Sequence, residues 1–216
     1  MTMLTIKTFS VNILEENCYV VSDESKDCII IDCGAQYTRE YKAIALYISL
    51  NGLKPVHLLN THLHFDHAWG NKFIAETYGL QTEASSRDVF LYENFGEQVK
   101  LFMGMQYDED FPCSISRDLD EGDYVEFGTH QLQVIATPGH TPGGLCFYCP
   151  EENGLFSGDS LFKCSIGRSD LPRSNGYDLV EALRGKILTL PFQTVVYPGH
   201  GPTTTIGEER TQNPYL

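Results

Sequence analysis

The stretch Thr61–Asn71 reads T-H-L-H-F-D-H-A-W-G-N and places His62, His64, Asp66 and His67 within six positions. Imidazole and carboxylate are ligands that suit zinc, iron or manganese. A lone histidine near a strand end is more often a satisfied surface or core residue than a ligand. Four liganding groups this close are a different case. Without a cation, a carboxylate and three imidazoles would compete for partners. The adjacent Asp66-His67 pair is set apart from His62 and His64 along the chain. The simplest use of both pairs is two neighbouring metals, one served by each.

The flanking residues say how this stretch is held. Val56–Leu59 is a short apolar run that stops at Asn60-Thr61, which reads as a buried strand. A helical pattern follows from about Ala68 to Tyr78, closed by Gly79. The ligands therefore fall on a strand-to-helix loop, where α/β folds put their chemistry.

Three later turns each offer one matching side chain. Thr137–Gly144 carries His140, Ser157–Ser160 carries Asp159, and Pro198–Gly201 carries His200. Each follows a strand-like run, and in two of them proline and glycine fix the turn, so the side chain is aimed. Each is weak evidence alone. Together they supply two histidines and a bridging carboxylate, which a two-metal site would still lack. His57 and His130 sit in strand-like or turn contexts and are expected to be structural. Asp32-Cys33-Gly34 ends another strand and reads as a turn. A second role stays open for Asp32, as acceptor for an imidazole N–H.

Strands are expected around Leu4–Phe9, over Cys18–Val21 and over Cys28–Ile31. A one-faced helix over Tyr37–Asn51 follows, and then the short strand and metal loop. Gln81–Ala84 reads as a brief strand, Asp88–Met103 as a helix, and Gly104–Ser116 as a polar surface loop. Strands return at Asp123–Phe127 and Gln131–Ala136 around a Gly128-Thr129 hairpin turn, then at Leu145–Cys149 and Leu155–Ser157. Gly176–Leu190 is a second one-faced helix, Thr194–Tyr197 a last strand, and Thr203–Leu216 an irregular polar tail. The order of strands, helix, short strand and histidine loop thus occurs twice. Two such halves form an α/β (α+β) four-layer αββα sandwich, expected as one domain over residues 1–216, with the ligand loops at one edge.

The chain has 216 residues and a formal charge of −14, which disfavours nucleic acid as a partner but admits a small anionic substrate at a cationic site. The N-terminus has no basic segment followed by a long apolar run, and no stretch reaches the ~18 apolar residues of a membrane helix. Seven scattered cysteines suggest reduced thiols in a cytoplasmic protein. Cys146 and Cys149 have C-x-x-C spacing, but in a strand they point to opposite faces, so no metal or redox role is expected of them.

T-H-L-H-F-D-H, then His140, Asp159 and His200 in that order, resembles the metallo-β-lactamase superfamily over nearly the whole chain. T-P-G-H-T-P-G-G, S-G-D-S-L-F and Ser165–Pro172 are most similar to the short bacterial members of its glyoxalase II group of thioester hydrolases. The resemblance implies that His62, His64 and His140 bind one metal, that Asp66, His67 and His200 bind the other, and that Asp159 bridges. Zinc is the first expectation for both ions, with iron or manganese as alternatives. Asp66 is expected to serve catalysis as well as ligation, and Arg168 to grip a substrate carboxylate unless it is spent on Asp170. The implied substrate is a thioester such as S-lactoylglutathione. Full-length glyoxalase II carries a C-terminal helical extension that helps hold glutathione, and no helical pattern is read here after His200. The acid at position 159, where the best-known zinc β-lactamases use a thiolate, argues against penicillin-like substrates. The rival readings are a mononuclear-iron persulfide dioxygenase, a lactonase, and a metal-binding module without catalysis. The first leaves Asp66, His67 and His200 poorly explained, and the last needs only four closed ligands.

Overall fold

The computed structural model describes residues 3–107 and 114–216. Its first half builds a six-stranded sheet in chain order: β1 (Thr5–Val11), β2 (Glu16–Ser22), β3 (Asp27–Ile31), β4 (Lys54–Leu59), β5 (Thr82–Ala84) and β6 (Ile115–Asp118). β1 to β3 are antiparallel, while β3 to β6 run parallel to one another. Parallel strands need crossovers. These are α1 (Thr38–Leu50) between β3 and β4, then α2 (Phe65–Ala68) and α3 (Asn71–Tyr78) between β4 and β5. The last contains α4 (Val89–Glu93) and α5 (Phe95–Met103).

The second half forms another six-stranded sheet. β7 (Tyr124–Phe127), β8 (His130–Ala136), β9 (Leu145–Cys149) and β10 (Gly154–Gly158) meander antiparallel. A small hairpin of β11 (Leu161–Phe162) and β12 (Ser165–Ile166) follows, then α6 (Gly176–Gly185). β13 (Val195–Pro198) pairs parallel to β10, and β14 (Thr204–Thr205) finishes the sheet. The chain ends with α7 (Ile206–Gln212).

Strand alternation sorts the side chains into layers. Tyr19, Val21, Ile29 and Ile31 face Val134, Leu145, Phe147 and Phe156 between the two sheets. The intervening Cys18, Val20, Cys28 and Ile30 turn outward onto Ile44 and Ile48 of α1 and Ile74 of α3. Cys146, Tyr148 and Leu155 turn outward on the other side, onto Leu179 and Leu183 of α6 and Ile206 of α7. This is the αββα sandwich. Because both faces of each sheet are covered, β2 and β9 are buried along their whole length. Cys149 joins the inner layer and Cys146 the outer one, on opposite faces, and both are free thiols.

Several expected boundaries shift. The tail after Thr203 is not irregular. Thr205 accepts a hydrogen bond from the Glu208 N–H at 3.1 Å and caps α7, whose Ile206 is fully buried. Asp88–Met103 is not one helix, because the chain breaks at Asn94 between α4 and α5. α6 ends at Gly185, and a 3₁₀ turn over Ile187–Thr189 takes its place. Residues 108–113, inside the loop expected over Gly104–Ser116, lie outside the described residues, and the end of that loop is part of β6. Among the described residues no helix is long and apolar enough to cross a membrane.

Candidate metal centre

The parallel strands β3, β4, β10 and β13 end at one edge, and the expected ligands leave from that edge. Asp32 follows β3, His62 and His64 follow β4, Asp159 follows β10 and His200 follows β13. The loop after β8 delivers His140. Asp66 and His67 lie inside the short helix α2, so the ligand stretch is part helix. The two sheets are stitched together here by Leu145 N–H to the Thr61 carbonyl at 2.8 Å and Asn17 N–H to the Gly199 carbonyl at 2.7 Å.

The seven expected ligands converge. His62, His64 and His140 form one triad, Asp66, His67 and His200 another, and His62, His67 and Asp159 a third, with ligand atoms within 4.8 Å of one another in each. His64 Nδ1 lies 2.9 Å from His140 Nε2, and His200 Nε2 lies 3.3 Å from Asp66 Oδ2. Asp159 straddles the triads. Its Oδ1 is 3.3 Å from His67 Nε2 and 3.8 Å from His200 Nε2, and its Oδ2 is 3.6 Å from His140 Nε2.

Four of the five rings are held by a hydrogen bond at Nδ1. His67 Nδ1 donates to Asp32 Oδ2 at 3.1 Å, His140 Nδ1 to the Arg168 carbonyl at 2.9 Å, and His200 Nδ1 to the Leu14 carbonyl at 3.0 Å. The Thr61 hydroxyl donates to Asp32 at 2.7 Å and so accepts from His62 Nδ1 at 3.1 Å. In each case Nε2 is left with its lone pair facing the cluster. His62 Nε2, His67 Nε2 and Asp159 Oδ1 are buried with no hydrogen-bond partner. Orphaned atoms of this kind are rare in a folded interior unless something fills the space between them. Cations ~2 Å from each atom require ligand atoms no more than ~4 Å apart, and the five pair distances given above, from 2.9 to 3.8 Å, meet that. The donor set therefore fits two divalent cations of the borderline type.

The electrostatics agree. Burial and the neighbouring His67, His64 and His140 push His62 well below the usual imidazole range, and burial with His140 takes His64 down to about 3. Both are held neutral, which is the ligating form. Burial alone would also lower His67, but Asp159, Asp66 and Asp32 outweigh it and raise it well above the ordinary value. The carboxylates that favour a proton there favour a metal in its place. Burial would raise Asp159 and Asp66, yet the surrounding imidazoles hold both below the usual carboxylate range, Asp159 far below.

Three further carboxylates support the centre, of which only Asp32 was read from the sequence in that role. Asp32 is a turn residue with φ of 52° and also the imidazole acceptor, so both of its readings hold. Glu16 is wholly buried beside His67, its Oε1 3.9 Å from Nδ1 and its Oε2 accepting from the Gly34 N–H. Burial drives its carboxyl well above the usual range, against the pull of His67. A glutamate at the head of the strand E-N-C-Y-V-V, whose last four residues are apolar, was the available signal. Asp88 is buried too. It accepts from Thr141 Oγ1 and the Gly143 N–H, both at 2.7 Å, and so braces the His140 loop. The Arg168 guanidinium makes a bidentate pair with Asp170 at 2.7 and 2.8 Å, both exposed, so a substrate carboxylate there would compete with Asp170. Away from the cluster, His57 bonds Glu83 and His130 bonds Asp23.

Known proteins are similar to this chain over nearly its whole length. The hydroxyacylglutathione hydrolase GloC of Haemophilus influenzae is 33% identical over 214 residues, covering 99% of this chain and 98% of that protein. The BLEG-1 B3 metallo-beta-lactamase superimposes with a TM-score of 0.89 at 31% identity, over 98% of this chain and 99% of that one. A protein crystallised in a di-iron-bound form superimposes with a TM-score of 0.85 at 35% identity, over 97% of this chain and all of that one. The model of the metallo-beta-lactamase superfamily matches residues 12–200, which span every ligand named above, and the chain belongs to that superfamily.

Proposed function

We propose that this chain is a dinuclear-metal hydrolase of thioesters, with S-lactoylglutathione as the reference substrate. The observation that carries the hydrolase reading is Asp159, whose two oxygens face the two triads. The likeness to GloC supports the thioester part. His62, His64 and His140 would hold one cation, Asp66, His67 and His200 the other, with Asp159 between them. Zinc fits this donor set, and the likeness to a di-iron form supports iron equally. Two such cations would supply a water acidified to near neutral pH and a Lewis acid for the carbonyl oxygen.

The chain's own residues do the rest. Asp66 stays ionised and can accept a hydrogen bond from the attacking water, fixing its approach. The water oxygen joins the acyl carbon, the C–S bond breaks with its electron pair on sulfur, and a carboxylate and a thiol result. A thiol has a pKa of ~8.5, so it leaves as thiolate without a strong general acid. That is consistent with a centre made only of ligands and their supports. Arg168, if released from Asp170, is the side chain in this reading that meets a glutathione carboxylate.

The test is loss of thioester absorbance from S-lactoylglutathione with metal-loaded protein. Asp66→Ala should lose metal and rate together, and full activity in that variant would sink the mechanism. No turnover by protein holding two metals would move the substrate elsewhere. The likeness to a B3 enzyme favours one second reading, β-lactam hydrolysis at the same centre, which a penicillin in the same assay decides.

A further inference from the structure

His64 also lines a cleft of about 260 Å³ that hydrolysis itself does not require. Its other walls are Phe90 of α4, Leu101 and Phe102 of α5, and Leu171-Pro172 of the loop before α6. Leu101 is 69% exposed and Phe102 40% exposed. Single exposed apolar residues mean little, but neighbours that share a cleft reaching a metal ligand form a binding surface.

The polar residues of the lining are already engaged. Gln98 accepts from the Phe65 N–H at 3.3 Å and donates to the Leu91 carbonyl at 2.7 Å. Asn94 donates to the Phe90 carbonyl at 2.7 Å, and Glu97 pairs with Lys100 at 3.8 Å. The Arg173 guanidinium lies over the Phe90 ring, 4.1 Å from its centroid. Phe102 stacks on Phe65 with centroids 5.6 Å apart. What the cleft offers a ligand is therefore mainly hydrocarbon, on walls fixed from behind.

We infer that this cleft takes an apolar acyl chain of the substrate, so that the preferred thioesters carry a medium-length chain in place of a short polar acyl group. The inference rests on the thioester reading above. At roughly 30 Å³ for a group of water's size, a chain of about eight carbons fills the space. Glutathione and the other common thiol carriers are polar and charged and match this mainly apolar lining poorly, which places the cleft on the acyl side. Each methylene buried there contributes ~0.8 kcal/mol, or about fourfold in kcat/KM. Because Leu101 and Phe102 stay partly open to water, about twofold per methylene is the lower expectation.

The test keeps glutathione as the thiol and varies the acyl group from acetyl through butanoyl and hexanoyl to octanoyl. The expected result is a kcat/KM that climbs two- to fourfold per methylene and levels off near eight carbons. Leu101→Ser should reduce that slope, while Leu50→Ser, an exposed leucine on α1, should leave it as in wild type. A flat series, or the same slope in Leu101→Ser, overturns the inference and leaves the thioesterase reading standing. If no thioester is cleaved, that reading fails, and calorimetry on the metal-loaded protein decides the cleft separately. Octanoate binding more than tenfold tighter than butanoate supports it, and equal affinities overturn it.

Discussion

Asp32→Asn is the sharpest probe of how the centre is held. The Asp32 carboxylate accepts from the Thr61 N–H at 2.7 Å, the Thr61 hydroxyl at 2.7 Å and His67 Nδ1 at 3.1 Å. Through Thr61 it also fixes the ring of His62. An asparagine has one acceptor oxygen. If that oxygen faces the Thr61 N–H, the amide NH₂ meets His67, which must move its proton to Nε2 and can no longer ligate through it. If it faces His67, the buried Thr61 N–H loses its partner at a cost of ~1–3 kcal/mol. The expected outcome combines the two. Affinity falls ~10–100-fold at the His67 site, the range for losing a group that orients a metal-bound histidine, and stability falls by ~1–3 kcal/mol. Titration against a chromophoric chelator reads both sites, and denaturant unfolding of metal-free protein reads stability. Thr61→Val removes only the relay to His62, so the two variants should weaken different sites more. An Asp32→Asn protein that binds two metals as tightly as wild type refutes the reasoning.

Three further outcomes follow from other contacts. Asp23 joins the turn after β2 to the β7–β8 hairpin, accepting from the Thr129 N–H at 2.8 Å and His130 Nδ1 at 3.1 Å. Burial would raise its carboxyl, but hydrogen bonds from Ser25, Thr129 and His130 hold it well below the usual range. Its contribution is thus present above the unfolded pKa of ~3.9 and is lost as pH falls through the folded value. Asp23→Asn should cost ~2 kcal/mol at pH 7, and the deficit should vanish in unfolding curves taken at progressively lower pH. For His57 the sign reverses. The bond to Glu83 raises its pKa despite burial, so its stabilisation is full below ~6.5 and is lost as pH rises through the folded value. His57→Gln should therefore lower Tm more at pH 6 than at pH 9, and an equal drop at both would contradict that assignment. At Gly199 an added Cβ would run into Asp159 Oδ1 and come within 2.6 Å of His67 Cε1. Gly199→Ala should lose more than tenfold in metal affinity by the same chelator assay, and unchanged affinity would show that the turn can yield.

The candidate ligands, Asp159 apart, were legible because they sit in local signatures. H-x-H-x-D-H crowds four donors into one loop, and proline and glycine mark the turns of His140 and His200. The four-layer fold was legible from the order of strands and helices. The missing pieces share a cause, which is that their partners are far away in sequence or are backbone. Nothing in Leu14 or Arg168 announces that its carbonyl fixes a histidine ring more than twenty residues away. Asp88 reads as a helix start until the His140 loop is seen folded against it. The helix α7 was missed because it is short and is secured by one cap, one buried isoleucine and the buried Glu209, which accepts from the Cys164 N–H, Thr204 and Asn213, a pattern that apolar periodicity does not register. Leu101 and Phe102 look like parts of an amphipathic helix, and only the position of His64 gives their exposure a use.

The same long-range wiring bears on how the centre forms. Neither half of the chain holds any of the three triads described above complete. The first half brings His62 and His64 to one and Asp66 and His67 to the other, and the second half completes them with His140 and His200. The supports cross over as well, since His200 is fixed by Leu14 and the second sheet's Leu145 is bonded to Thr61. A cation bound at either triad therefore ties one sheet to the other, and its binding free energy acts on the packing of the two sheets as well as on the local loops. In this fold the edge that gathers the candidate ligands is also the seam, and the buried histidines and carboxylates there, costly to desolvate on their own, form groups that a metal can complete.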